Sequence, residues 1–308
     1  MNVLVTGASG YLGGLVAERL ARDGHALRAL ARTPARVPPG VPAIRGDAFT
    51  GAGLKRALDG VEVAYYLIHS MEPAAGGERA AAFADRERVA AERFGAAAAA
   101  AGVERIVYLG GPDPGDVKRS PHLASRLAVE RILLGAVTGS VALRASIVIG
   151  ARSRSFRFLV RLVERLPVLA LPAWHTNRSA PIDERDIVEL LVAAASSGAV
   201  AGASLDAGGP DTVTYGELIE RIAEAMVVAR PALRLRRLTV TPIASRMAAL
   251  IAGERHELIG PLMESLQGDL VPADDRAARL LGVRLHGLDA AIEHALREWE
   301  REEPLRAR

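Results

Sequence analysis

Val3-Leu4-Val5-Thr6-Gly7-Ala8-Ser9-Gly10-Tyr11-Leu12-Gly13 is the stretch on which the fold turns. An apolar run ends at a G-x-x-G-x-x-G turn, and Leu12, Leu15, Val16 and Leu20 then recur at helical spacing until Asp23-Gly24. A strand that stops at such a turn and restarts as a helix presents bare backbone N–H groups and a positive helix end to a diphosphate. Glycine is needed where a side chain would block the turn, the ligand's approach or the packing of helix on strand. Gly7, Ser9, Gly10, Tyr11, Leu12 and Gly13 are therefore candidate contacts of a dinucleotide. The competing reading is an ordinary strand–turn–helix with incidental glycines. The full context of the motif favours the dinucleotide.

Outward from this unit, short apolar runs alternate with helical stretches, the pattern of a parallel sheet covered on both faces. Strands are expected at 2–6, 26–31, 43–45, 61–68, 105–109 and 141–148, and helices at 11–22, 53–58, 78–101 and 121–134. The expected fold is α/β, a doubly wound parallel Rossmann sheet with a small, mostly helical carboxyl-terminal cap. Residues 1–150 would form the nucleotide-binding domain and 151–308 a cap and substrate region interleaved with the sheet. In the second half a helix over 156–165 stops at Pro167, and Asp183 reads as the N-cap of the next helix. A short strand is expected at 203–206. Thr214 with Glu217 three residues on forms a capping box, and a last helix spans 288–302.

Composition narrows the function classes. Of 308 residues half are apolar and a quarter charged, a globular balance with a net charge of only +3. The isoelectric point near 9.6 reflects arginine in place of lysine, since Lys55 and Lys118 are the only lysines. Arginines alternate with acids, as in Asp85-Arg86-Glu87-Arg88, which is a solvated helix face and not a nucleic-acid stripe. The absence of cysteine excludes disulfides, thiol nucleophiles and thiolate metal sites, and suits a reducing compartment. No signal-peptide pattern opens the chain. The alanine-rich stretch 187–205 carries Glu189, Ser196, Ser197 and two glycines, so it reads as a buried helix and a turn. A cytoplasmic protein without membrane or nucleic-acid partners is expected. The histidines show no metal-ligand spacing, and no metal is expected.

The cofactor's identity is read at the end of the second strand, where an acid holds ribose hydroxyls and an arginine pairs with a 2′-phosphate. Here Arg32 and Thr33 stand there, and no acid is near. The planar fork of arginine suits phosphate oxygens, so NADP(H) is favoured over NAD(H); the alternative is a solvated arginine at a loop start. Asp47, followed by Ala48, is placed to accept from the adenine amino group or, equally, to cap the short helix that follows. Leu67, Ile68, His69 and Ser70 end the fourth strand, beside the ribose and diphosphate. His69 is a candidate contact of cofactor or substrate, or a partner for a backbone carbonyl.

Together, Thr6-Gly-Ala-Ser-Gly-Tyr-Leu-Gly13, Arg45-Gly-Asp47, Val107-Tyr-Leu-Gly-Gly111, Leu143-Arg144 with Ile149-Gly150, and Pro181-Ile-Asp-Glu-Arg-Asp186 resemble an atypical short-chain dehydrogenase/reductase. The likeness is to the NAD(P)-binding, NmrA-like and epimerase-like branch. It implies the fold and a nicotinamide cofactor; the branch includes reductases, isomerases, assembly factors and silent redox sensors, so it leaves the reaction open. Active members carry Tyr-x-x-x-Lys on the helix after the fifth strand and a serine near that strand's end. Here the serine position is glycine, in Tyr108-Leu109-Gly110-Gly111, and His122 and Arg126 stand in place of tyrosine and lysine. Ser120 and Pro121 read as N-cap and first residue of that helix.

A histidine is a competent acid–base group near neutrality, and a neighbouring arginine disfavours its cation. His122, Arg126 and His69 are therefore the candidate catalytic residues, with Arg126 also a candidate for the nicotinamide ribose. The bland alternative is that His122 packs near the helix start and Arg126 is structural. In the proline-bounded loop, Trp174, His175, Asn177 and Arg178 are candidate substrate contacts, or Trp174 anchors the cap's own core. The expectation is an NADPH-dependent oxidoreductase acting on a carbonyl or conjugated alkene of a small apolar metabolite. The alternatives are a non-catalytic NADP-binding redox sensor and an isomerase or epimerase that retains its nicotinamide. A homodimer is compatible with helices of this fold.

Overall fold

Val3, Leu4 and Val5 have no exposed surface, and the sheet is built outward from them. The computed structural model describes residues 1–68, 80–113, 120–235 and 268–305. Strand β1 (Asn2–Thr6) runs parallel to β2 (Ala26–Ala31) on one side and to β4 (Val63–Tyr66) on the other. Beyond these lie β3 (Ala43–Arg45), β5 (Arg105–Gly110), β6 (Val141–Arg144) and β11 (Ser204–Asp206). Among the described residues the main sheet has seven parallel strands in the order β11-β6-β5-β4-β1-β2-β3. The order reverses between β1 and β4, which opens a crevice beyond their carboxyl ends. This is the doubly wound Rossmann fold expected from the sequence.

Successive residues of a strand face opposite ways, and both faces of this sheet are covered. Val3 and Val5 pack with Val16 and Leu20 of α1 (Tyr11–Arg22) and with Leu190 and Leu191 of α6 (Glu184–Ala194). Leu4 packs on the other face with Leu54 of α2 (Leu54–Leu58), Phe94 of α3 (Ala80–Ala100) and Leu133 of α4 (Pro121–Ala136). A third core joins α5 (Arg154–Arg165), α7 (Tyr215–Ala225) and α9 (Leu288–Glu302) through Phe156, Ile222 and Trp299. Between them run α8 (Arg276–Leu281) and the short strands β8 (Leu169–Pro172), β9 (Arg178–Ser179), β10 (Ile182–Asp183), β12 (Val213–Thr214) and β13 (Ala232–Leu235).

Two expectations change in detail. The run 141–148 does not form one strand: it stops at Arg144, and Val148–Ile149 forms a separate β7 paired with β10. Pairing with β5 runs out just past Arg144, and from Val148 the backbone takes Ile182 and Asp183 as partners instead. The fourth strand is shorter than 61–68, because the Val61 N–H still closes the turn after α2 on Leu58. The strand near 203–206 joins the main sheet beside β6, so the later half of the chain completes the earlier half's sheet. Among the described residues no helix is long and apolar enough to cross a membrane.

Candidate dinucleotide and substrate site

At the end of β1, Gly7 adopts φ +78°, and a Cβ there would run into the carbonyl of Leu67. A Cβ at Gly13 would run into the Gly7 carbonyl, so the helix can lie this close to the turn only without side chains. Gly10 N–H donates to the Gly7 carbonyl at 2.8 Å and Thr6 Oγ1 to the Tyr65 carbonyl at 2.9 Å, which ties the turn to β4. Gly10 is the N-cap of α1 and supplies no capping side chain, and no acid occupies the first turn. The opening N–H groups of the helix therefore lack an intrahelical acceptor, and Ser9 and Gly10 are exposed above them. Leu67 borders Gly7 across the crevice. The uncapped helix start, held close to the turn by these glycines, fits a dinucleotide diphosphate.

Arg32 and Thr33 follow β2 and are exposed. The β2–β3 register pairs Ala31 with Arg45, so a second exposed arginine ends the neighbouring strand. Asp47 does not cap α2: the N-cap is Gly53, at φ +76°. Instead, Asp47 Oδ1 accepts the Phe49 N–H at 2.8 Å inside a turn closed by Asp47 N–H on the Ala52 carbonyl at 2.9 Å. That intervening turn separates Asp47 from the helix and removes the capping alternative. Ala48 is buried beneath it. His69 lies outside the described residues.

On the other side of the crevice, Ser120 Oγ accepts the Leu123 N–H at 3.2 Å and Pro121 opens α4, as the sequence indicates. His122 follows, its ring 6.4 Å from that of Phe83. Burial, and then the charge of Arg126, push its pKa down to about 4, so the imidazole is neutral at neutral pH. Arg126 is only 5% exposed. Its Nη1 donates to the Ile68 carbonyl at 3.3 Å and meets Glu87 at 3.5 Å, its Nη2 donates to the Leu109 carbonyl, and it lies 4.9 Å over the Tyr108 ring. Arg126 thus joins the ends of β4 and β5. At Gly111, just past β5, a Cβ would stand 2.9 Å from Leu123 Cδ2, so α4 packs against the space a side chain would need.

Two groupings escaped the sequence. The Tyr11 hydroxyl donates to Glu184, 173 residues away, and Gly150 lies against both. At the ends of β6 and β11, buried Glu130 receives Arg144 and, at 2.6 Å, the Ser204 hydroxyl. No local spacing marks either, although Asp183, the N-cap of α6, pointed to the neighbourhood of Glu184. In the proline-bounded loop Trp174 and His175 are buried, and Trp174 meets Tyr215 edge-on at 6.1 Å within the third core. Arg178 is paired with Asp269 at 2.9 Å. Among the described residues no three histidine or acidic side chains converge as metal ligands would.

Comparison with known proteins agrees with this geometry. Residues 7–147 match the NAD(P)H-binding family model. Over 111 residues the chain is 41% identical to a (4-alkanoyl-5-oxo-2,5-dihydrofuran-3-yl)methyl phosphate reductase of Streptomyces griseus, a match covering 35% of this chain and 33% of that one. The chain therefore spans about a third of the curated relative's length. MoeE5, solved in complex with UDP-glucuronic acid and NAD, superposes with a TM-score of 0.73 at 23% identity, covering 98% of this chain and 99% of that one. A short-chain dehydrogenase/reductase superfamily protein from Agrobacterium tumefaciens with bound NAD gives 0.70 at 17% identity, covering 98% of each chain. Over residues 7–147 the chain is similar to NAD(P)H-binding domains. The fold is the one these solved structures share.

Proposed function

We propose that the protein is an NADP(H)-dependent oxidoreductase of the atypical short-chain type, reducing a carbonyl or conjugated alkene of a small, mostly apolar metabolite. The observation that carries this reading is the uncapped start of α1 beneath Gly7, Gly10 and Gly13, a cradle shaped for a diphosphate. Exposed Arg32 at the end of β2 supports the phosphorylated cofactor, with a guanidinium fork for the 2′-phosphate. The reductase from Streptomyces griseus favours the alkene, since its name describes a dihydrofuranone ring whose double bond is conjugated with carbonyls.

The bound cofactor supplies the hydride. The chain's own residues position and polarise. Neutral His122 donates a hydrogen bond to the substrate oxygen and stabilises the negative charge developing on it, as a neutral imidazole at a helix start can. A water at the imidazole delivers the proton, so no cationic acid is required. Arg126 fixes the ends of β4 and β5 on the ribose side of the crevice, and burial together with its charge keeps His122 uncharged.

The internal engagement of Arg126 favours one rival, a redox sensor that binds NADP(H) without turnover. Absorbance at 340 nm, followed with NADPH and a panel of ketones, quinones and enones, separates the two. Consumption of NADPH by an enone or ketone, lost in His122→Ala, supports the oxidoreductase. Tight binding with no consumption across the panel supports the sensor.

A further inference from the structure

The contact between Tyr11 and Glu184 joins the nucleotide-binding turn to the later half of the chain. Tyr11 is the first residue of α1, and its hydroxyl donates to Oε2 of Glu184 in the first turn of α6. The Glu184 side chain is 13% exposed. Several charged groups face it. Asp183, next in the chain, is held by its own partner, Arg185, with Nη2 2.6 Å from Oδ2. Arg152, from the loop after β7, is the opposing cation, and Glu298 faces the pair from α9. His294, also on α9, places Nε2 3.8 Å from Oε1 of Glu184. Gly150 closes the enclosure, because a Cβ there would run into both the Tyr11 hydroxyl and the Glu184 carboxylate. Burial raises the Glu184 carboxyl above the ordinary carboxylate range, and the Tyr11 hydrogen bond opposes that shift.

A carboxylate so placed is one tyrosine side chain away from the N–H groups at the start of α1. We propose that Glu184 is a positioning residue of the cofactor site: through Tyr11 it holds the first turn of α1, and it takes up a proton when a diphosphate binds there. The proposal rests on the reading of that turn as the cofactor site. The negative charge of the diphosphate adds to those of Asp183 and Glu298 and disfavours an ionised Glu184. The proton comes from solvent onto a Glu184 oxygen, and the other oxygen still accepts from Tyr11. By linkage, binding is tighter below the titration of Glu184 and weakens as pH rises through it.

Calorimetric titration of the full chain with NADP⁺, in two buffers of different ionisation enthalpy between about pH 5 and 8, reads protons taken up per cofactor bound. The 2′-phosphate contributes equally to every variant, so the difference from Glu184→Gln isolates the side chain. The expected excess in the wild type is about half a proton near the titration midpoint. Glu184→Gln keeps a hydrogen-bond acceptor for Tyr11, and it is expected to bind at least as tightly above neutral pH. Tyr11→Phe, which removes a bond favouring the carboxylate, moves the midpoint of uptake to higher pH. His294→Gln retains the uptake. Equal uptake in the wild type and Glu184→Gln overturns the proposal, as does loss of uptake in His294→Gln alone. Weaker binding of Glu184→Gln at every pH with an unchanged slope also overturns it. If the wild type binds neither NADP⁺ nor NAD⁺, the reading of the turn itself fails. Binding without proton uptake overturns the proposal and leaves the reading of the turn standing.

Discussion

Glu130 and Arg144 form a two-pronged ion pair at the carboxyl edge of the sheet, with Nη2 2.6 Å from Oε1 and Nε 3.0 Å from Oε2. The Glu130 side chain is 3% exposed and that of Arg144 21%. Removing one partner of a buried pair leaves the other charge uncompensated, which costs about 3–5 kcal/mol. Glu130→Ala should therefore lower the urea midpoint by a corresponding amount at unchanged slope. A midpoint equal to that of the wild type would show that the pair contributes nothing.

Val227 sits at φ +56° just past α7, where the Val228 N–H bonds back to the Ala223 carbonyl at 3.0 Å. This is the left-handed helix stop that glycine normally fills, and a β-branched side chain there is strained. The side chain is 86% exposed, so its removal sacrifices no packing. Val227→Gly should stabilise the protein by about 1 kcal/mol, seen as a raised thermal midpoint. A lowered midpoint would contradict the strain.

His122 carries its pKa at about 4 in the fold against an ordinary 6.5. Between those values the unfolded chain binds more protons, so stability rises with pH across that window and is lost as pH falls toward 4. Stability at neutral pH should exceed that below pH 4 by about 3 kcal/mol through this group. Urea unfolding of His122→Gln, measured over the same window, should show a flatter dependence on pH. An identical slope would mean that another group titrates.

Arg32 is exposed just past the end of β2, the place proposed above for a 2′-phosphate. Arg32→Ala should weaken NADP⁺ about tenfold, the scale of one charge-assisted contact, and leave NAD⁺ unchanged. Titration calorimetry with each cofactor checks this. Equal losses for both would remove Arg32 from specificity.

Much of the first half was legible because its signals are local. The spacing of Gly7, Gly10 and Gly13, the apolar run before them and the helical recurrence of Leu12, Val16 and Leu20 all lie within one strand–turn–helix. Thr214 and Glu217 are three residues apart, and they exchange the two hydrogen bonds that the spacing implied, at 3.1 and 2.7 Å. Asp47 shows the limit. Capping the helix and turning on itself look alike in sequence, and the backbone bond from Asp47 to Ala52 decided for the turn.

The order of residues alone determined the parallel sheet and the glycine cradle, because alternation, helical period and capping are relations between near neighbours and survive without knowledge of the rest. Only the folded chain decided that Tyr11 would meet Glu184, that Arg126 would be held by the Ile68 and Leu109 carbonyls, and that β11 would complete the sheet beside β6. These are encounters between distant segments. The burial and charge that shape Glu184 and His122 arise only when those segments pack together and exclude water.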